Sequence, residues 1–137
     1  PISVLVVPIA SLKVLEKISV DTLRLSRLLT SLGTDLLYVF TCQTYDPDAT
    51  IHARAFAPKL GIPEDPATGS AAGAVGAYLS MNKFISKETC RNIFIEQGHM
   101  MGRPSSLFVC IEKHKGEIKS VRVGGESVTL IKGEIST

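Results

Sequence analysis

The feature that most restricts how this chain can fold is a run of small and apolar residues from Gly69 to Leu79, which reads Gly-Ser-Ala-Ala-Gly-Ala-Val-Gly-Ala-Tyr-Leu. It predicts a helix over about residues 69–81 with no polar face, and such a helix should be buried on every side. Each glycine in it costs roughly 1 kcal/mol relative to alanine, which makes sense where neighbouring groups must approach closely. The run is too short to span a membrane, because a span needs about 20 apolar residues. We therefore expect a thin, buried helix that a sheet can curl around.

The rest of the pattern predicts an α+β fold whose sheet is largely antiparallel. An amphipathic helix begins after Asp21 as N-cap, carries leucines at positions 25, 28, 29 and 32 on one face, and ends before Gly33. Residues 58–66, with three prolines, are expected to be a loop. Segment 51–57 alternates, which predicts a half-buried antiparallel strand. The other expected strands cover residues 3–9, 36–43, 92–97, 106–113, 117–123 and 127–135, with the last three forming a meander.

Length and charge exclude several classes of protein. The 137 residues suffice for one core, so residues 1–137 are expected to form a single domain. Fifteen Lys and Arg against thirteen Asp and Glu give a net charge of +2, too even to favour nucleic acid or an anionic membrane. Three dispersed cysteines in apolar surroundings are expected to be reduced core residues of a cytoplasmic protein, and the N-terminus has no signal-peptide pattern. The three histidines lack metal-ligand spacing, so no metal is expected.

The loop that enters the small-residue helix is polar and stiff. Pro63 and Pro66 restrict the backbone on both sides of Glu64 and Asp65. Thr68 is a candidate N-cap, which would leave the first amides of the helix pointing outward as an anion cradle. A carboxylate beside such a cradle suits a small substrate that bears a carboxylate and an amine or an acidic C–H. Capping residues and loop-stiffening prolines without catalytic function remain the alternative interpretation.

This loop and several further segments resemble the phenazine-biosynthesis PhzF-like family, which shares the diaminopimelate epimerase fold. The matching segments are Gly-Ile-Pro-Glu-Asp-Pro-Ala-Thr-Gly-Ser-Ala at 61–71, Arg-Ala-Phe-Ala-Pro at 54–58, Glu-Gln-Gly at 96–98, Met-Gly-Arg-Pro-Ser at 101–105, Val-Gly-Gly at 123–125 and Lys-Gly-Glu-Ile at 132–135. The resemblance covers nearly the whole chain. It implies a half of a two-half protein, with an antiparallel-rich sheet curled around the helix at about 69–81.

The resemblance also implies a function and its residues. Family members are isomerases or epimerases that move a proton on a small acid without a cofactor, in a site between two similar halves. The chain resembles the C-terminal half only, and the general acid/base glutamate of the other half is missing. By resemblance, Asp65 is the catalytic carboxylate of this half, and Glu64, Thr68, Gly69 and Ser70 bind the substrate. Gly69 and Ser70 are expected to hold its carboxylate through the end of the helix. The expected partner is a second copy or a chain carrying the N-terminal half.

Two hypotheses follow from the incomplete site. In the first, the chain is an isomerase or epimerase half that needs a second half for activity. In the second, it is a non-catalytic binding or assembly module that pairs with itself or with a partner, because a half with an uncovered apolar face should associate.

Overall fold

A computed structural model describes residues 2–135 of the chain. Three helices and seven strands make up the regular structure, joined by three short 3₁₀ turns. In chain order they are β1 (Val4–Pro8), α1 (Leu12–Glu16), α2 (Thr22–Ser31), β2 (Leu36–Thr41), β3 (Ile51–Ala57), β4 (Ile62–Asp65), α3 (Gly69–Met81), β5 (Ile93–Gln97), β6 (Ser105–His114) and β7 (Glu117–Gly125), with 3₁₀ turns at Pro58–Leu60, Thr89–Arg91 and His99–Met101.

The seven strands form one curled, mixed sheet, so the α+β class is confirmed. The strand order is β1-β2-β3-β5-β6-β7, and β4 pairs with β3 off this path. The β1–β2 and β3–β5 pairs are parallel, and the other four pairs are antiparallel. The sheet curls around α3, which contacts β1 at one end of the sheet and β6 and β7 at the other.

Helix α3 occupies the predicted position, and its glycines permit close packing on the sheet. A Cβ atom added to Gly76 would lie 2.7 Å from Cγ1 of Val109, closer than side chains pack. The expectation that α3 is buried on every side is wrong, however. Ser70, Ala74 and Met81 are exposed and Ala77 is partly exposed, and these positions share one face of the helix. The sheet therefore leaves an open strip of α3, defined by these four residues, in the gap between β1 and β7.

Helices α1 and α2 cover the opposite face of β1, β2 and β3. The predicted N-cap of α2 is confirmed, because Asp21 accepts a hydrogen bond of 2.9 Å from the backbone N–H of Arg24. Leu25 and Leu29 are buried there, whereas the leucines at 28 and 32 are about half exposed. Every residue of β3 is buried, so the expectation of a half-buried strand is wrong. Successive side chains of β3 point to opposite faces of the sheet, and both faces are covered, one by α3 and the other by α1 and α2.

Three further expectations differ from the structure. Residues 62–65, expected in a loop, form β4, because part of the edge of β3 is free to pair with them. Residues 126–135 contain no strand, since β7 continues through Gly124 and Gly125 rather than turning there. All three cysteines are free, but Cys42 is exposed rather than in the core. Within residues 2–135, no helix is long and apolar enough to cross a membrane.

Candidate active site

The fold brings Asp65 and Gln97 together along one edge of β3. Strand β5 pairs in parallel with the first part of β3, where Gln97 is the partner of Ala53. Strand β4 pairs antiparallel with the last part, where Asp65 is the partner of Ala55. The C-terminal ends of β4 and β5 therefore meet on the same edge, although their residues are 32 positions apart in sequence. This meeting point lies directly before the N-terminus of α3.

A chain of hydrogen bonds, here called the Gln97 network, joins Tyr38, Asp65, Thr68 and Gln97. The hydroxyl of Thr68 donates to Oδ2 of Asp65 at 2.6 Å. Nε2 of Gln97 donates to the backbone carbonyl of Asp65 at 2.6 Å and to Oγ1 of Thr68 at 2.9 Å. Oε1 of Gln97 accepts from the Tyr38 hydroxyl at 3.0 Å and from the Thr68 amide at 3.4 Å. Tyr38 and Gln97 are fully buried, so this loop is held from the core.

Burial sets the protonation of the tyrosine in this network. It raises the pKa of the Tyr38 hydroxyl well above its ordinary value, and the negative charge of Asp65 raises it further. Tyr38 is therefore a hydrogen-bond donor throughout the physiological pH range.

Thr68 precedes α3 as predicted, but its side chain does not cap the helix. No side-chain hydrogen bond caps the N-terminus of α3, because the Thr68 hydroxyl is engaged by Asp65 and Gln97. The first intrahelical bond runs from the amide of Ala72 to the carbonyl of Thr68 at 2.9 Å. The amides of Gly69, Ser70 and Ala71 precede it at the positive end of the helix dipole, where anions are favoured. Ser70 is exposed and Gly69 partly so.

Glu64, which the sequence assigned to substrate binding, forms an ion pair with Arg54. Both of its carboxylate oxygens accept from Arg54, from Nε and Nη2, at 2.8 Å each. Arg54 also donates to the backbone carbonyls of Leu15 and Ile18 at 3.0 and 2.8 Å. Because this bidentate geometry uses the whole carboxylate edge, Glu64 fastens β4 to β3 and to the end of α1, and it does not point a free carboxylate at a substrate.

The segment after Gln97 closes over the same loop. Gly98 has a φ of 81° and packs so tightly that an added Cβ would lie 2.8 Å from the carbonyl oxygen of Pro66 and even closer to that of Arg103. Glycine is required here by both conformation and space. Within the Glu-Gln-Gly motif at 96–98, the Gln97 side chain and the Gly98 backbone thus support the Asp65 loop. Sequence reasoning did not assign Gln97 or Tyr38 to the site, although a glutamine on the inward face of an apolar strand was a signal.

A second polar cluster, the His52 cluster, lies on the opposite face of β5 and comprises Tyr45, His52, Glu96 and His99. Nδ1 of His52 lies 2.8 Å from Oε2 of Glu96. Glu96 also accepts from the backbone amides of Tyr45 and Asp46 at 3.0 and 2.7 Å. Within the described residues, the two buried side-chain polar atoms without a partner both belong to this cluster: Nε2 of His52 and Nδ1 of His99.

The surroundings of the His52 cluster favour a neutral His52 and an ionised Glu96. Burial lowers the pKa of His52, and the adjacent Glu96 carboxylate only partly opposes that effect. Burial acts to raise the pKa of Glu96, but the amides of Asp46 and Tyr45 and the His52 imidazole outweigh it, so the pKa lies below its ordinary value. A neutral His52 therefore donates from Nδ1 to an ionised Glu96.

Comparisons with known proteins agree with these motifs. The family model of phenazine biosynthesis-like proteins matches residues 2–133. An uncharacterized isomerase of Clostridium acetobutylicum is 36% identical over 134 residues, which are 97% of this chain and 44% of that protein. A trans-2,3-dihydro-3-hydroxyanthranilate isomerase of Pseudomonas chlororaphis is 40% identical over 83 residues, which are 61% of this chain and 29% of that protein. The chain thus spans less than half the length of these relatives.

Two solved structures have a fold similar to that of this chain. A predicted epimerase of Pseudomonas aeruginosa superposes with a TM-score of 0.66 and 33% identity, covering 90% of this chain and 39% of that one. A phenazine biosynthesis protein of the PhzF family from Bacillus anthracis superposes with a TM-score of 0.69 and 23% identity, covering 88% and 41%. Since the family model spans almost all described residues, the chain belongs to the phenazine biosynthesis-like (PhzF) protein family.

Proposed function

We propose that this chain is one half of a PhzF-like isomerase or epimerase, which moves a proton on a small amino- or hydroxy-acid substrate without a cofactor. The observation that carries the proposal is the position of Asp65, whose Oδ2 is fixed by the Thr68 hydroxyl directly before a helix N-terminus without a side-chain cap. A held carboxylate beside an anion-attracting helix end is suited to proton transfer at a carbon next to a bound carboxylate.

Each residue of the loop has a proposed task. Asp65 takes part in proton transfer as the catalytic carboxylate of this half. The backbone amides at Gly69 and Ser70 bind the substrate carboxylate, and the exposed Ser70 hydroxyl adds a donor. Thr68 acts on Asp65 through its hydroxyl, and Glu64 acts through Arg54 by fastening β4. The last two are positioning residues in this proposal.

The proposal includes a second half. The matched relatives are more than twice as long as this chain, and a proton shift needs groups on more than one side of the reacting carbon. We propose that the chain takes the C-terminal half of a diaminopimelate epimerase-like architecture, and that a cytoplasmic partner supplies the general acid/base glutamate. That partner is a chain that carries the N-terminal half; a second copy of this chain would instead bring a second Asp65 to the site and no such glutamate.

The test separates binding from turnover. We expect trans-2,3-dihydro-3-hydroxyanthranilate, the compound named for the Pseudomonas relative, to shift the backbone amide NMR signals of Gly69, Ser70 and Ala71. We expect deuterium uptake from heavy water into that compound only after addition of the unmatched part of the Clostridium relative as a separate chain. Asp65→Asn should abolish the uptake, and Asp48→Asn, at an exposed site, should not.

Two outcomes would contradict this assignment. If the amides of α3 do not respond to the carboxylate compound, the helix end is not its binding site. If Asp65→Asn exchanges substrate protons as fast as the wild-type chain, Asp65 is not the catalytic carboxylate.

A second candidate function is a non-catalytic assembly module, and the open strip of α3 favours it. Three residues of the strip, Ser70, Ala74 and Ala77, line an open cleft of about 720 Å³ together with Val121 and Val123 of β7. Val128, Leu130 and Ile131, which follow β7, are also almost fully exposed. Apolar surface of this kind favours association. Native mass spectrometry should find a dimer if copies pair through this face, and a stable monomer at all concentrations would argue against pairing.

A further inference from the structure

We infer that Gln97, supported by Tyr38, is a positioning residue that determines which oxygen of Asp65 faces a substrate. The inference rests on the proposed role of Asp65, but its structural part can be measured without catalysis. It follows from the direction in which each hydrogen bond of the Gln97 network must run.

The orientation of the Gln97 amide is fixed by partners that have only one role. The backbone carbonyl of Asp65 can only accept, so the atom 2.6 Å from it is the NH₂ group. The backbone amide of Thr68 can only donate, so the atom 3.4 Å from it is the amide oxygen. The buried Tyr38 hydroxyl, which stays protonated, strengthens this orientation by donating to the same oxygen.

The amide orientation in turn fixes the Thr68 hydroxyl. The second N–H of Gln97 donates to Oγ1 of Thr68 at 2.9 Å. With that lone pair occupied, the hydroxyl proton turns toward its other neighbour, Oδ2 of Asp65 at 2.6 Å. Each hydrogen bond therefore donates in the same direction: Tyr38 donates to Gln97, Gln97 to Thr68, and Thr68 to Oδ2 of Asp65, which must accept.

The consequence concerns the second carboxylate oxygen. Among the described residues, no hydrogen-bond donor contacts Oδ1 of Asp65, and Asp65 is partly exposed. The Gln97 network thus uses Oδ2 for positioning and leaves Oδ1 as the oxygen that exchanges a proton with the substrate. Without the Gln97 N–H, the Thr68 hydroxyl is free to rotate, and both oxygens become equivalent to an incoming substrate.

The test is the NMR signal of the isotope-labelled Asp65 carboxyl carbon in the isolated chain. We expect Thr68→Val to shift this signal, because Oδ2 loses its donor. We expect Gln97→Met, which keeps the side-chain size but removes both amide groups, to shift it in the same direction. In the double variant Thr68→Val/Gln97→Met, the signal should move no further than in Thr68→Val, since Gln97 reaches the Asp65 carboxylate only through the Thr68 hydroxyl and its direct bond is to the Asp65 backbone carbonyl.

Controls distinguish positioning from a purely structural role. Gln43→Met changes the other glutamine of the chain, which lies at the surface, and should leave the Asp65 signal unchanged. Thr68→Ser keeps the hydroxyl and should restore the wild-type signal. If Gln97→Met does not fold, Gln97→Asn provides the same comparison with a shortened amide. The inference is overturned if the Gln97 variants keep the wild-type Asp65 signal while Thr68→Val shifts it, or if the two substitutions act additively.

The catalytic consequence is measured separately with the completed enzyme. Gln97→Met should lower kcat roughly tenfold to a hundredfold, the usual effect of losing a hydrogen bond to a charged group, because the Thr68 hydroxyl would no longer be held on the Asp65 carboxylate. KM should change little, because the substrate carboxylate binds at α3. If no turnover is found even with the second half, the proposed function fails while the NMR result still decides the role of Gln97. An unchanged kcat in an active enzyme would contradict the role of Gln97 alone.

Discussion

Glu96 and Gln97 are neighbours at the end of β5, but they serve opposite faces of the sheet. Gln97 points toward α3, and each of its polar groups has a protein partner. Glu96 points away from α3 into the His52 cluster, where two imidazole nitrogens are buried without a partner. The same strand end therefore builds one fully satisfied network, which can hold a loop in a single arrangement, and one cluster with unsatisfied buried nitrogens, whose energetic cost depends on protonation.

The largest expected effect comes from placing a charge in the satisfied network. Gln97→Glu would bury a carboxylate against the carbonyl oxygen of Asp65, where it has no donor to replace the Gln97 N–H. The Tyr38 hydroxyl and the Thr68 amide would still donate to one of its oxygens, but no cation would balance the charge. A buried charge without an opposite partner typically costs about 3–5 kcal/mol, and we expect the free energy of unfolding to fall by that amount in urea titrations. Gln43→Glu, at the surface, should change it by less than about 0.5 kcal/mol. Equal effects of the two substitutions would contradict the contrast.

The reciprocal substitution in the His52 cluster should have a smaller effect. Glu96→Gln keeps one acceptor oxygen but turns an NH₂ group toward the donors of Tyr45, Asp46 or His52. Leaving buried donors without an acceptor costs about 1–3 kcal/mol, measurable as a lower free energy of unfolding. Glu112→Gln, in the exposed pair with Arg122, is the matched control and should cost no more than about 1 kcal/mol. A control as costly as Glu96→Gln would sink this prediction.

The pH dependence of stability should identify the His52 cluster as the one whose energetic cost depends on protonation. Because the folded-state pKa of His52 is lowered, the unfolded chain binds the proton more readily, and stability is fully present above about pH 6.5 and lost as the pH falls below it. One proton gives at most about 1.4 kcal/mol per pH unit. Glu96, also lowered, adds a further loss below its ordinary value of about 4.3.

The measurement is the urea midpoint from about pH 7 to about pH 5. His52→Asn should flatten this dependence, even if it lowers stability at neutral pH. His114→Asn, at an exposed site, should keep the wild-type slope. The groups facing His52 are Glu96, His99, Tyr45 and Glu16, and a slope that survives His52→Asn would assign the effect to one of them.

The smallest expected change in stability comes from replacing one tyrosine of each cluster by phenylalanine. Tyr38→Phe removes the buried hydrogen bond to Gln97 and should cost about 0.5–1.5 kcal/mol. Tyr45→Phe removes an exposed hydrogen bond to Glu16, where water replaces the partner, and should stay within about 0.5 kcal/mol. Thermal or urea unfolding of both variants makes the comparison, and a larger loss for Tyr45→Phe would reverse the ranking of the two clusters.

Local patterns predicted the elements because the responsible forces are local. The helix at 69–81, the Asp21 N-cap and most strand positions follow from periodicity, capping and turn residues. The expected strand at 127–135 was wrong because Gly124 and Gly125, typical of a turn, are paired with Phe108 and Leu107 inside β7. Strand β4 was not predicted because Pro63 within it and Pro58 and Pro66 near its ends indicate a loop, whereas the edge of β3 that accepts it is formed by another part of the chain.

The small-residue helix, the Asp65 loop before it and the family to which both belong can be read from the residues in order. That Gln97 and Tyr38 hold the loop, that Arg54 pairs with Glu64 and that one strip of α3 is uncovered became visible in the folded chain. These contacts join residues that are distant along the chain. Tyr38 and Gln97 are 59 positions apart, and their contact exists only because β3 pairs with β2 on one edge and with β4 and β5 on the other.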